Sequence, residues 1–453
     1  MSDRIKNLNP NETADKPYVV YWMQASQRTE YNHALEYAIA QANELDKPLL
    51  VYFGLTADFP EANARHYTFM LEGLQDVKAE LSARGIAFIV QLTSPEKGAV
   101  AWAEDAALLI VDRGYLRIER EWRDRVAHAV SCPFIQVETN VIIPVEVASD
   151  KEEYAARTIR SKIHKQLDAY TEPLPQTDVV HASLDLDLPY EKVDISDISS
   201  LIDELDCDQS VPAVEWIKGG TPQAKKRLSH FIENNLPDYD EKRNQPGLAI
   251  TSDMSPYLHF GQISPLYMYE QLADVPASEN KKAFIEEFVV RRELSMNFVY
   301  YNDQYDSYVC LPDWAKETLA NHTDDERETV YNLEELETSD TADPYWNAAQ
   351  SEMMKTGKMH GYMRMYWGKK IIEWSPSPEE AYSRALYLNN KYNLDGRDPN
   401  SFTGIAWCFG KHDHGWKERP VFGKVRYMNA KGLERKFKMS DYLLRVANSL
   451  PND

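Results

Sequence analysis

The first third of the chain alternates apolar runs with amphipathic segments. Five runs have the length of buried strands, and they read YVVYWM, PLLVYFGL, IAFIVQL, ALLIVD and FIQVET. Segments with helical periodicity separate them, the first near Asn32 to Asn43 and the second around His66 to Ser82. This alternation predicts an α/β domain with a parallel, doubly wound sheet and helices on both faces. A ligand of such a sheet is expected at the carboxyl ends of its strands, although no GxGxxG motif follows the first run.

The later part of the chain keeps helical periodicity almost throughout. Apolar positions recur at helical spacing in AKKRLSHFIENNL, KAFIEEFVVRRELSMNFVYY, GYMRMYWGKKIIEW and PEEAYSRALYLNNKY. Between His181 and Glu215 ten acidic residues accompany a single lysine, and Pro189 and Pro212 interrupt the segment. Such a composition is typical of an exposed connector with room for one short helix. We therefore predict an α/β domain over residues 1–180, an acidic linker over 181–215 and an all-α domain over 216–453.

The composition indicates a protein of the cytoplasm. Hydrophobic residues make up 43% of the 453, yet no apolar run approaches the length needed to span a bilayer. The polar start MSDRIKNLNPNETADKP lacks the apolar stretch of a signal peptide. We therefore expect a cytoplasmic protein with no membrane partner, and we expect it to be a monomer.

The cysteines give no sign of a disulfide framework or a metal site. They lie far apart, with no CxxC pair, at Cys132, Cys207, Cys310 and Cys408. Cys408 is followed by His412 and His414 in AWCFGKHDHGW, and these are ligand types for a metal. A zinc site needs a second pair at tight spacing, so a surface turn is the favoured interpretation. We expect reduced cysteines and no metal.

Charge is distributed unevenly along the chain. The formal net charge is -22, yet residues 346–438 carry 17 lysines and arginines against 9 aspartates and glutamates. A basic face on an acidic body can bind a polyanion while the remaining surface repels it. A solvated surface with a local lysine surplus explains the same counts, so charge alone leaves both interpretations open.

Tryptophans cluster in the basic segment. Residues 346–416 contain five of the ten tryptophans, and Trp367 and Trp374 are seven positions apart in GYMRMYWGKKIIEW. Seven helical residues rise about 10.5 Å and return to nearly the same face. Indole rings at that separation can pass an electron by hopping, whereas paired tryptophans also commonly fill a buried helix face. The spacing by itself leaves electron transfer and core packing as alternatives.

A first candidate for a cofactor site is the segment TSDMSPYLHFGQIS. Hydroxyl groups at Thr251, Ser252 and Ser255 precede Pro256, which suits the first helical position and leaves Ser255 as the cap. Free amides at such a helix start can hold phosphate, but a capped helix without a ligand produces the same pattern. Tyr239 lies a short loop upstream and adds a further hydroxyl.

The second candidate, LNNKYNLDGRDPN, crowds amides and charges around a helix end. Asp-Gly and Asp-Pro pairs stop helices without any ligand, so turn chemistry explains part of the pattern. A redox ring that gains negative charge needs a nearby guanidinium and neutral amide donors. Arg364, from the tryptophan-bearing segment, would supply that field together with Asp395. The other polar candidates here are Asn389, Arg397, Asp398 and Asn400.

These segments together resemble class II cyclobutane pyrimidine dimer photolyases, a branch of the photolyase and cryptochrome family. The similarity is carried by TSDMSPYLHFGQIS, FIEEFVVRREL, MHGYMRMYWGKKIIEW, YLNNKYNLDGRDPN and FGKVRYMN, and WMQASQR and VYFGLT extend it into the first domain. It spans nearly the whole chain. The resemblance implies an α/β domain that can hold a light-harvesting chromophore, with a deazaflavin preferred and a folate or an empty site as alternatives. It also implies a helical domain that binds FAD bent into a U shape.

By this resemblance the polar segments bind FAD. The implied cofactor contacts are Tyr239, Thr251, Ser252, Met254, Ser255, Arg364, Asn389, Asp395 and Arg397. Tyr239 and the hydroxyl groups would contact the phosphates and the ribitol. Arg364 and Asp395 would form an ion pair beside the isoalloxazine ring. Asn389 would face the N5 nitrogen, where a neutral amide suits a ring that changes its protonation.

The tryptophans and the substrate site also acquire implied roles. Trp367 resembles the flavin-proximal member of a photoreduction chain, Trp346 the distal member and Trp374 a further relay. Glu287 would hydrogen-bond the thymine edges of a flipped-out dimer, and Trp407 would line the pocket. A crosslinked dimer pairs and stacks poorly, so extruding it costs less than extruding normal bases. The other implied DNA contacts are Met365, which would pack near the lesion, and Arg426 and Lys424, which would meet phosphates.

The implied activity is light-driven repair of cyclobutane pyrimidine dimers in ultraviolet-damaged DNA. Excited, reduced FAD would donate an electron to the dimer, two carbon–carbon bonds would split and the electron would return. The alternative is a cryptochrome-like photosensor that uses the same flavin without repair, and Glu287 and Trp407 favour repair. Arg291 departs from the pattern, because some relatives place an aromatic residue there to touch the lesion. Stacking by its guanidinium is the expected substitute.

Overall fold

The computed structural model describes residues 2–188 and 192–449. Pro189, which we placed in the acidic linker, lies outside the described residues, as do Met1 and residues 450–453 at the ends of the two predicted domains. No helix among the described residues is both long enough and apolar enough to cross a lipid bilayer.

A six-stranded sheet forms the first part of the molecule. Its strands are β1 (Ile5–Asn7), β2 (Tyr18–Trp22), β3 (Leu49–Leu55), β4 (Ala87–Leu92), β5 (Ala106–Asp112) and β6 (Phe134–Val137). Their spatial order is β1-β6-β5-β2-β3-β4, and every pairing except that of β1 with β6 is parallel. Every residue of β2, β3 and β5 is buried, as expected for strands covered by helices on both faces. The predicted parallel α/β sheet is confirmed.

One strand was not predicted from the sequence. β1 has only three residues, two of them polar and exposed, and it pairs antiparallel with β6 at the edge of the sheet. A segment this short shows no alternation, so its strand conformation depends on the partner rather than on its own sequence.

Seven α-helices in the described residues accompany the sheet and its connections. They are α1 (His33–Glu44), α2 (Ala64–Ala83), α3 (Pro95–Ala103), α4 (Arg117–Ala129), α5 (Val145–Ala148), α6 (Ala156–Tyr170) and α7 (Ile198–Glu204). α1 begins where predicted, because the side chain of Asn32 accepts a hydrogen bond from the Leu35 backbone N–H at 3.0 Å and caps the helix. α7 is a short helix within the acidic connector.

The second part of the molecule is helical, as predicted. Its α-helices are α8 (Thr221–Asn234), α9 (Tyr239–Lys242), α10 (Ser255–His259), α11 (Pro265–Glu270), α12 (Glu279–Ile285), α13 (Arg292–Tyr301), α14 (Asp313–Asn321), α15 (Leu333–Glu337), α16 (Pro344–Thr356), α17 (Gly361–Trp374), α18 (Pro378–Tyr392), α19 (Pro399–Cys408), α20 (Ala430–Lys436) and α21 (Met439–Ser449). Short 3₁₀ helices occur at Ser2–Arg4, Leu236–Asp238 and Tyr308–Cys310, and a π-helical segment, Glu286–Arg291, joins α12 to α13.

Buried guanidinium groups join the sheet to the helical part. Arg28, in the loop after β2, donates to the backbone oxygen of Gly261 at 2.8 Å. Arg65 of α2 donates to the backbone oxygen of Tyr392 at 2.7 Å. Gly261 has a φ of 66°, and a Cβ at this position would lie 1.9 Å from the backbone oxygen of Ala25. The two parts therefore meet too closely for any residue except glycine at this contact.

Candidate functional site

A cavity of about 290 Å³ opens in the helical part, between the α9–α10 region and the start of α17. We call it the helical-domain cavity, and it is lined by Trp216, Tyr239, Thr251, Ser252, Asp253, Met254, Ser255, Pro256, Gly357, Lys358, Met359, His360, Gly361, Arg364 and Asp395. Seven of the nine residues expected to bind the cofactor are in this lining. The two exceptions are Asn389 and Arg397.

One wall of the helical-domain cavity combines hydroxyl groups with positive charge. Lys358 donates to the hydroxyl of Thr251 at 3.0 Å and forms an ion pair with Asp253. Arg227 approaches the same carboxylate at 3.4 Å. Asp253 has a φ of 56°, a left-handed conformation that is uncommon for a residue other than glycine. The Asp253 carboxylate therefore holds two cations near Thr251, and Lys358 is the one in the cavity lining.

The predicted helix cap at Ser255 is wrong by one residue. α10 begins at Ser255, so Met254 occupies the cap position and makes no side-chain cap hydrogen bond. Pro256 still lies in the first turn, where its missing N–H costs nothing. Ser255 is exposed at the cavity wall, so its hydroxyl faces the space where a ligand would sit.

Arg364 and Asp395 are paired in the lining of the cavity. One terminal nitrogen of Arg364 lies 3.3 Å from an Asp395 carboxylate oxygen and 3.5 Å from the side-chain oxygen of Asn393. The Arg364 Nε is buried and has no hydrogen-bond partner among the described residues. Because a buried N–H without a partner is costly, this nitrogen marks a donor available to a ligand.

Asn389 lies behind the cavity wall rather than in it. Its fully buried side chain donates to the Ser401 hydroxyl and accepts from the Asn393 amide at 2.9 Å. Asn393 in turn accepts from Arg364. The hydrogen bonds of the Asn389 side chain are thus satisfied within the core. Its connection to the Arg364–Asp395 pair runs through one intervening amide, that of Asn393.

Arg397 lies in a different place from the one predicted. It is buried, has a φ of 66°, and its guanidinium carbon lies 5.8 Å from the centre of the Phe59 ring. It lines a second cavity, against the sheet, and not the helical-domain cavity. Arg397 and Asp395 thus line different cavities although they are two positions apart in sequence, which the crowding of polar residues in the segment does not reveal.

The second cavity, of about 120 Å³, lies at the carboxyl ends of β2 and β3, and we call it the sheet cavity. Three of its lining side chains carry buried polar atoms without a partner in the described structure: the Trp22 Nε1, both amide atoms of Gln24, and the Gln27 Oε1. Burial raises the pKa of Glu119, also in the lining, to about 7. Because each orphaned polar group costs about 1 to 3 kcal/mol, this set favours a polar ligand.

Three tryptophans form a continuous series of ring contacts. Trp346 of α16 stacks on Trp367 of α17, with ring centroids 6.3 Å apart and planes 7° from parallel. Trp374 meets Trp346 edge-on at 5.5 Å. Trp346 thus lies between the other two, and the series continues to Tyr331, whose ring is 5.1 Å from that of Trp374. All three indoles are buried, so the arrangement packs the core and also connects their π-systems.

Glu287 lies in the π-helical segment between α12 and α13. Such segments interrupt α-helices frequently at functional sites. An Arg243 terminal nitrogen lies 2.5 Å from the Glu287 carboxylate, and 39% of the Glu287 side chain is exposed. Arg243 also stands 5.7 Å from the ring of Tyr239, whose pKa is raised to about 12 by burial and by the charge of Glu287. Glu287 is therefore linked to the helical-domain cavity through two side chains.

Trp407 lies near the end of α19, half-buried, with two cations against its ring. The Lys369 Nζ is 5.5 Å from the ring centroid and the Arg426 guanidinium carbon 5.3 Å. Arg426 also donates to Asp413 at 3.0 and 3.2 Å and lies 4.0 Å from the Trp416 ring. Before any phosphate binds, Arg426 is thus already held by a carboxylate and two indoles.

The remaining predicted DNA contacts lie at the surface or close to it. Met365 is half-buried beside Arg364 on α17, and Lys424 is exposed. Arg291 is about half exposed and donates to Glu286 at 3.0 Å, so its guanidinium is engaged within the π-helical segment.

Cys408, His412 and His414 do not converge. Cys408 is buried against Gly368, where a Cβ would lie 2.7 Å from its sulfur. His412 contacts the backbone oxygen of Tyr154 at 2.7 Å, and His414 stacks on Trp416 at 5.0 Å. Within residues 2–188 and 192–449, no three metal-ligating side chains cluster.

Sequence reasoning missed several residues of the helical-domain cavity. Trp216 donates to the Thr356 backbone oxygen at 2.7 Å and covers the cavity near Lys358. His360 caps α17 by accepting from the Tyr362 N–H, and burial lowers its pKa to about 4, so it is neutral. Lys358 was also missed, and it lies 105 positions from its ion-pair partner Asp253. Trp216, Lys358 and His360 have no periodic sequence pattern that marks them as cavity residues. Lys358 directly precedes the MHGYM segment, and nothing in the local sequence marks it as a ligand contact.

The chain is similar to known proteins along most of its length. The profile described as DNA photolyase matches residues 19–178. A deoxyribodipyrimidine photo-lyase of Methanothermobacter thermautotrophicus is 53% identical over 446 residues, which cover 98% of both chains. The enzyme of the same name from Arabidopsis thaliana is 40% identical and covers 94% of this chain and 88% of its own. That of Potorous tridactylus is 41% identical over 94% of this chain and 81% of its own.

Solved structures share the fold at low sequence identity. A Synechocystis cryptochrome superimposes with a TM-score of 0.74 at 14% identity, over 95% of this chain and 88% of its own. A class III photolyase of Agrobacterium tumefaciens gives 0.71 at 17% identity, over 96% and 88% of the two chains. The high identity to full-length relatives, together with the fold, shows that the chain belongs to the DNA photolyase family.

Proposed function

We propose that this protein is a class II cyclobutane pyrimidine dimer photolyase that repairs ultraviolet-damaged DNA with light. The observation that carries the proposal is a polar, partly cationic cavity lined by Arg364 of α17, the helix whose Trp367 belongs to a series of three contacting tryptophans. The names of relatives at 40% to 53% identity support the repair reaction. The class II assignment rests on the motif segments quoted above. The cytoplasmic location and the monomeric state remain predictions from the sequence.

The helical-domain cavity fits FAD chemically. Thr251, Ser252 and Ser255 offer hydroxyl donors to the phosphates, and Lys358 supplies a positive charge beside them. Tyr239 keeps its phenolic proton and can donate it in a hydrogen bond, and Met254 supplies apolar contact. Bound FAD would supply a light-excitable electron donor, whereas binding and orientation fall to the side chains of this chain.

The Arg364–Asp395 pair orients the ring system of the cofactor in this proposal. Arg364 offers an unpartnered N–H, and Asp395 offers an acceptor 3.3 Å from the same guanidinium. A guanidinium held in place favours negative charge on a ring that it contacts. We assign Asn389 the role of fixing Arg364 through Asn393, because its buried amide is bonded to Ser401 and Asn393 rather than directed into the cavity.

The tryptophan series is proposed to resupply electrons from the surface. Trp367 lies three positions after Arg364 on α17, so the two side chains are neighbours along the helix. From Trp367 the ring contacts lead to Trp346 and then to Trp374. The order of contacts makes Trp346 the middle member.

Lesion binding is proposed for the residues around Glu287 and Trp407. The Glu287 carboxylate accepts hydrogen bonds from thymine N–H groups, and Arg243 holds it in place before the lesion arrives. Trp407 and Met365 provide apolar contact to the extruded dimer. Arg426, on the basic segment, meets flanking DNA phosphates. Extruding a dimer that stacks poorly makes this binding selective for damage and independent of sequence.

A second chromophore is proposed for the sheet cavity. The unpartnered atoms of Trp22, Gln24 and Gln27 combine two donors and two acceptors, a set that suits the amide edge of a fused heterocycle. A deazaflavin is our first choice and a folate the alternative. Arg397, in the same lining, would contact this chromophore rather than FAD.

The test is illumination of the FAD-loaded, reduced protein with dimer-containing oligothymidine, following the recovery of base absorbance. We expect recovery in light and none in darkness. No recovery in light would refute the repair proposal, and light-driven flavin reduction without recovery would favour a photosensor. Glu287→Ala is expected to lower both lesion affinity and repair yield. Unchanged values for both would refute its assigned role.

A further inference from the structure

Lys369 of α17 is fully buried, and the proposed mechanism makes no use of it. Its Nζ donates to the backbone oxygen of Cys408, the last residue of α19. Among the described residues no carboxylate lies within ion-pair distance of this ammonium group, and the Asp413 carboxylate acts on it only from further away. Burying an ammonium without a direct ion pair costs more than one hydrogen bond returns. Stability of the fold therefore does not explain a charge at this position.

The surroundings of Lys369 connect it to the proposed lesion pocket. Its Nζ lies 5.5 Å from the ring centroid of Trp407, the residue just before Cys408. A cation near an indole face is attracted by the ring quadrupole, and more strongly where water is excluded. α17 and α19 pack closely here, because a Cβ on Gly368 would lie 2.7 Å from the Cys408 sulfur. Lys369 thus joins Trp407 to the helix that also carries Arg364.

We propose that Lys369 is a positioning residue for the lesion, whose charged form holds the Trp407 ring where it contacts the extruded dimer. This inference rests on the proposed repair function. The charged ammonium attracts the ring and donates to the end of α19, where the helix dipole is negative. The neutral amine loses the ring attraction and weakens the bond to the helix end. Affinity for the lesion therefore follows the charge of Lys369.

The charge of Lys369 changes in an accessible pH range. Burial lowers the pKa of Lys369 from 10.5 to about 8. The groups facing it from other elements are the Cys408 thiol, the Asp413 carboxylate and the Arg426 guanidinium. Burial raises the pKa of the Asp413 carboxyl, but its hydrogen bonds with Arg426 outweigh this effect and keep the pKa below its usual value. Burial raises the pKa of the Cys408 thiol. Lys369 therefore loses most of its charge between pH 7 and 9.

The experiment measures dark binding of FAD-loaded protein to a dimer-containing oligothymidine and to the undamaged strand, at pH 7 and pH 9. The ratio of the two affinities removes general effects of pH on phosphate contacts. For the unmodified protein we expect this ratio to fall by about fivefold between the two pH values, which corresponds to a cation–π contact of about 1 kcal/mol. Lys369→Met is expected to show the lower ratio already at pH 7 and no step with pH.

A double-mutant cycle separates positioning from general structural damage. If Lys369 acts through Trp407, then Lys369→Met changes the ratio by less than about twofold in a Trp407→Ala background. Lys411→Met is the matched control, since Lys411 is also buried but is paired with Glu152, and the ratio should not change. Methionine keeps most of the volume of lysine, so no large void arises in the Lys369 variant.

Three outcomes would overturn the inference. The first is a pH-independent ratio in the unmodified protein, a measurement that needs no variant to fold. The second is an equal effect of Lys369→Met with and without Trp407. The third is an absence of both lesion preference and light-driven repair in the unmodified protein, which would overturn the proposed function as well and is thereby distinguishable from the other two.

Discussion

Trp346 is the middle member of the tryptophan series, so its replacement should separate electron resupply from repair. In Trp346→Phe, Trp367 and Trp374 lose the indole through which they are connected. The ring centroid of Trp367 lies 6.3 Å from that of Trp346, and the ring centroid of Trp374 lies 5.5 Å from it. The backbones of Trp367 and Trp374 are about 10.5 Å apart along the axis of α17. Phenylalanine fills part of the space but lacks the readily oxidised indole.

The structure also sets the expected magnitudes for Trp346→Phe. The variant loses the hydrogen bond from the Trp346 Nε1 to the Trp367 backbone oxygen, 3.1 Å long, and leaves a void in the core. Together these should lower the free energy of unfolding by about 1 to 3 kcal/mol. Photoreduction of bound FAD should slow by more than about tenfold, which requires only about 1.4 kcal/mol of additional barrier.

The assay compares two reactions of the same Trp346→Phe preparation. Photoreduction is followed by flavin absorbance in oxidised protein under light with a thiol reductant, and repair is followed in chemically reduced protein. We expect slow photoreduction and nearly normal repair. Trp102→Phe is the control, because Trp102 is equally buried and its Nε1 donates to Gln91 at 2.7 Å, but it belongs to α3. Photoreduction of Trp346→Phe at the normal rate would refute the assigned path.

Three other changes test separate parts of the molecule. Arg364→Met should weaken FAD binding by more than about tenfold, because it leaves Asp395 unpaired beside the cofactor; retained flavin after ultrafiltration measures this. Gln24→Leu removes two buried polar atoms without a partner, so it should raise the free energy of unfolding by about 1 to 3 kcal/mol, as measured by urea denaturation. The same change should weaken binding of the second chromophore, as measured by titration. Glu293→Gln should flatten the pH dependence of stability. Burial raises the pKa of Glu293 from 4.5 to about 7, so the native state binds this proton more tightly than the unfolded state does. The free energy of unfolding therefore falls as pH rises between those values, by up to about 3 kcal/mol. Urea denaturation at pH 4.5 and 7.5 measures this difference.

Each of these changes has a result that contradicts its reasoning. Normal flavin retention by Arg364→Met would mean that the ion pair does not bind the ring. A less stable Gln24→Leu protein would show that the amide has partners in solution. An unchanged pH slope in Glu293→Gln would assign that slope to other groups.

The spacing of apolar residues predicted the larger elements of the fold, because each of these elements buries one face and that face must be apolar. α17 begins and ends at the predicted residues, since His360 caps it and Trp374 is its last buried position. β1 escaped notice because its conformation comes from pairing with β6 and not from its own three residues. The local sequence pattern is thus sufficient to predict a helix or strand that packs against the core along its whole length. It is insufficient for a segment whose conformation is set by pairing with another strand.

The candidate site shows a similar division. Seven of the expected cofactor residues share one cavity because the motifs that contain them are contiguous segments that fold as units. Asn389 and Arg397 belong to the same segment as Asp395, yet Asn389 is hydrogen-bonded within the core and Arg397 lines the sheet cavity. Lys358 and Lys369 were missed because the groups that they contact lie 38 to 142 positions away in sequence. Such contacts exist only after the helices have assembled.

The guanidinium contacts of Arg28 and Arg65 have an optical consequence. They fasten the part that contains the sheet cavity to the part that contains the helical-domain cavity, so two bound chromophores would keep one angle between their transition dipoles. Dipolar excitation transfer depends on that angle as well as on separation. Folding alone would therefore set the efficiency of the transfer, which should be the same in a viscous glass as in dilute buffer.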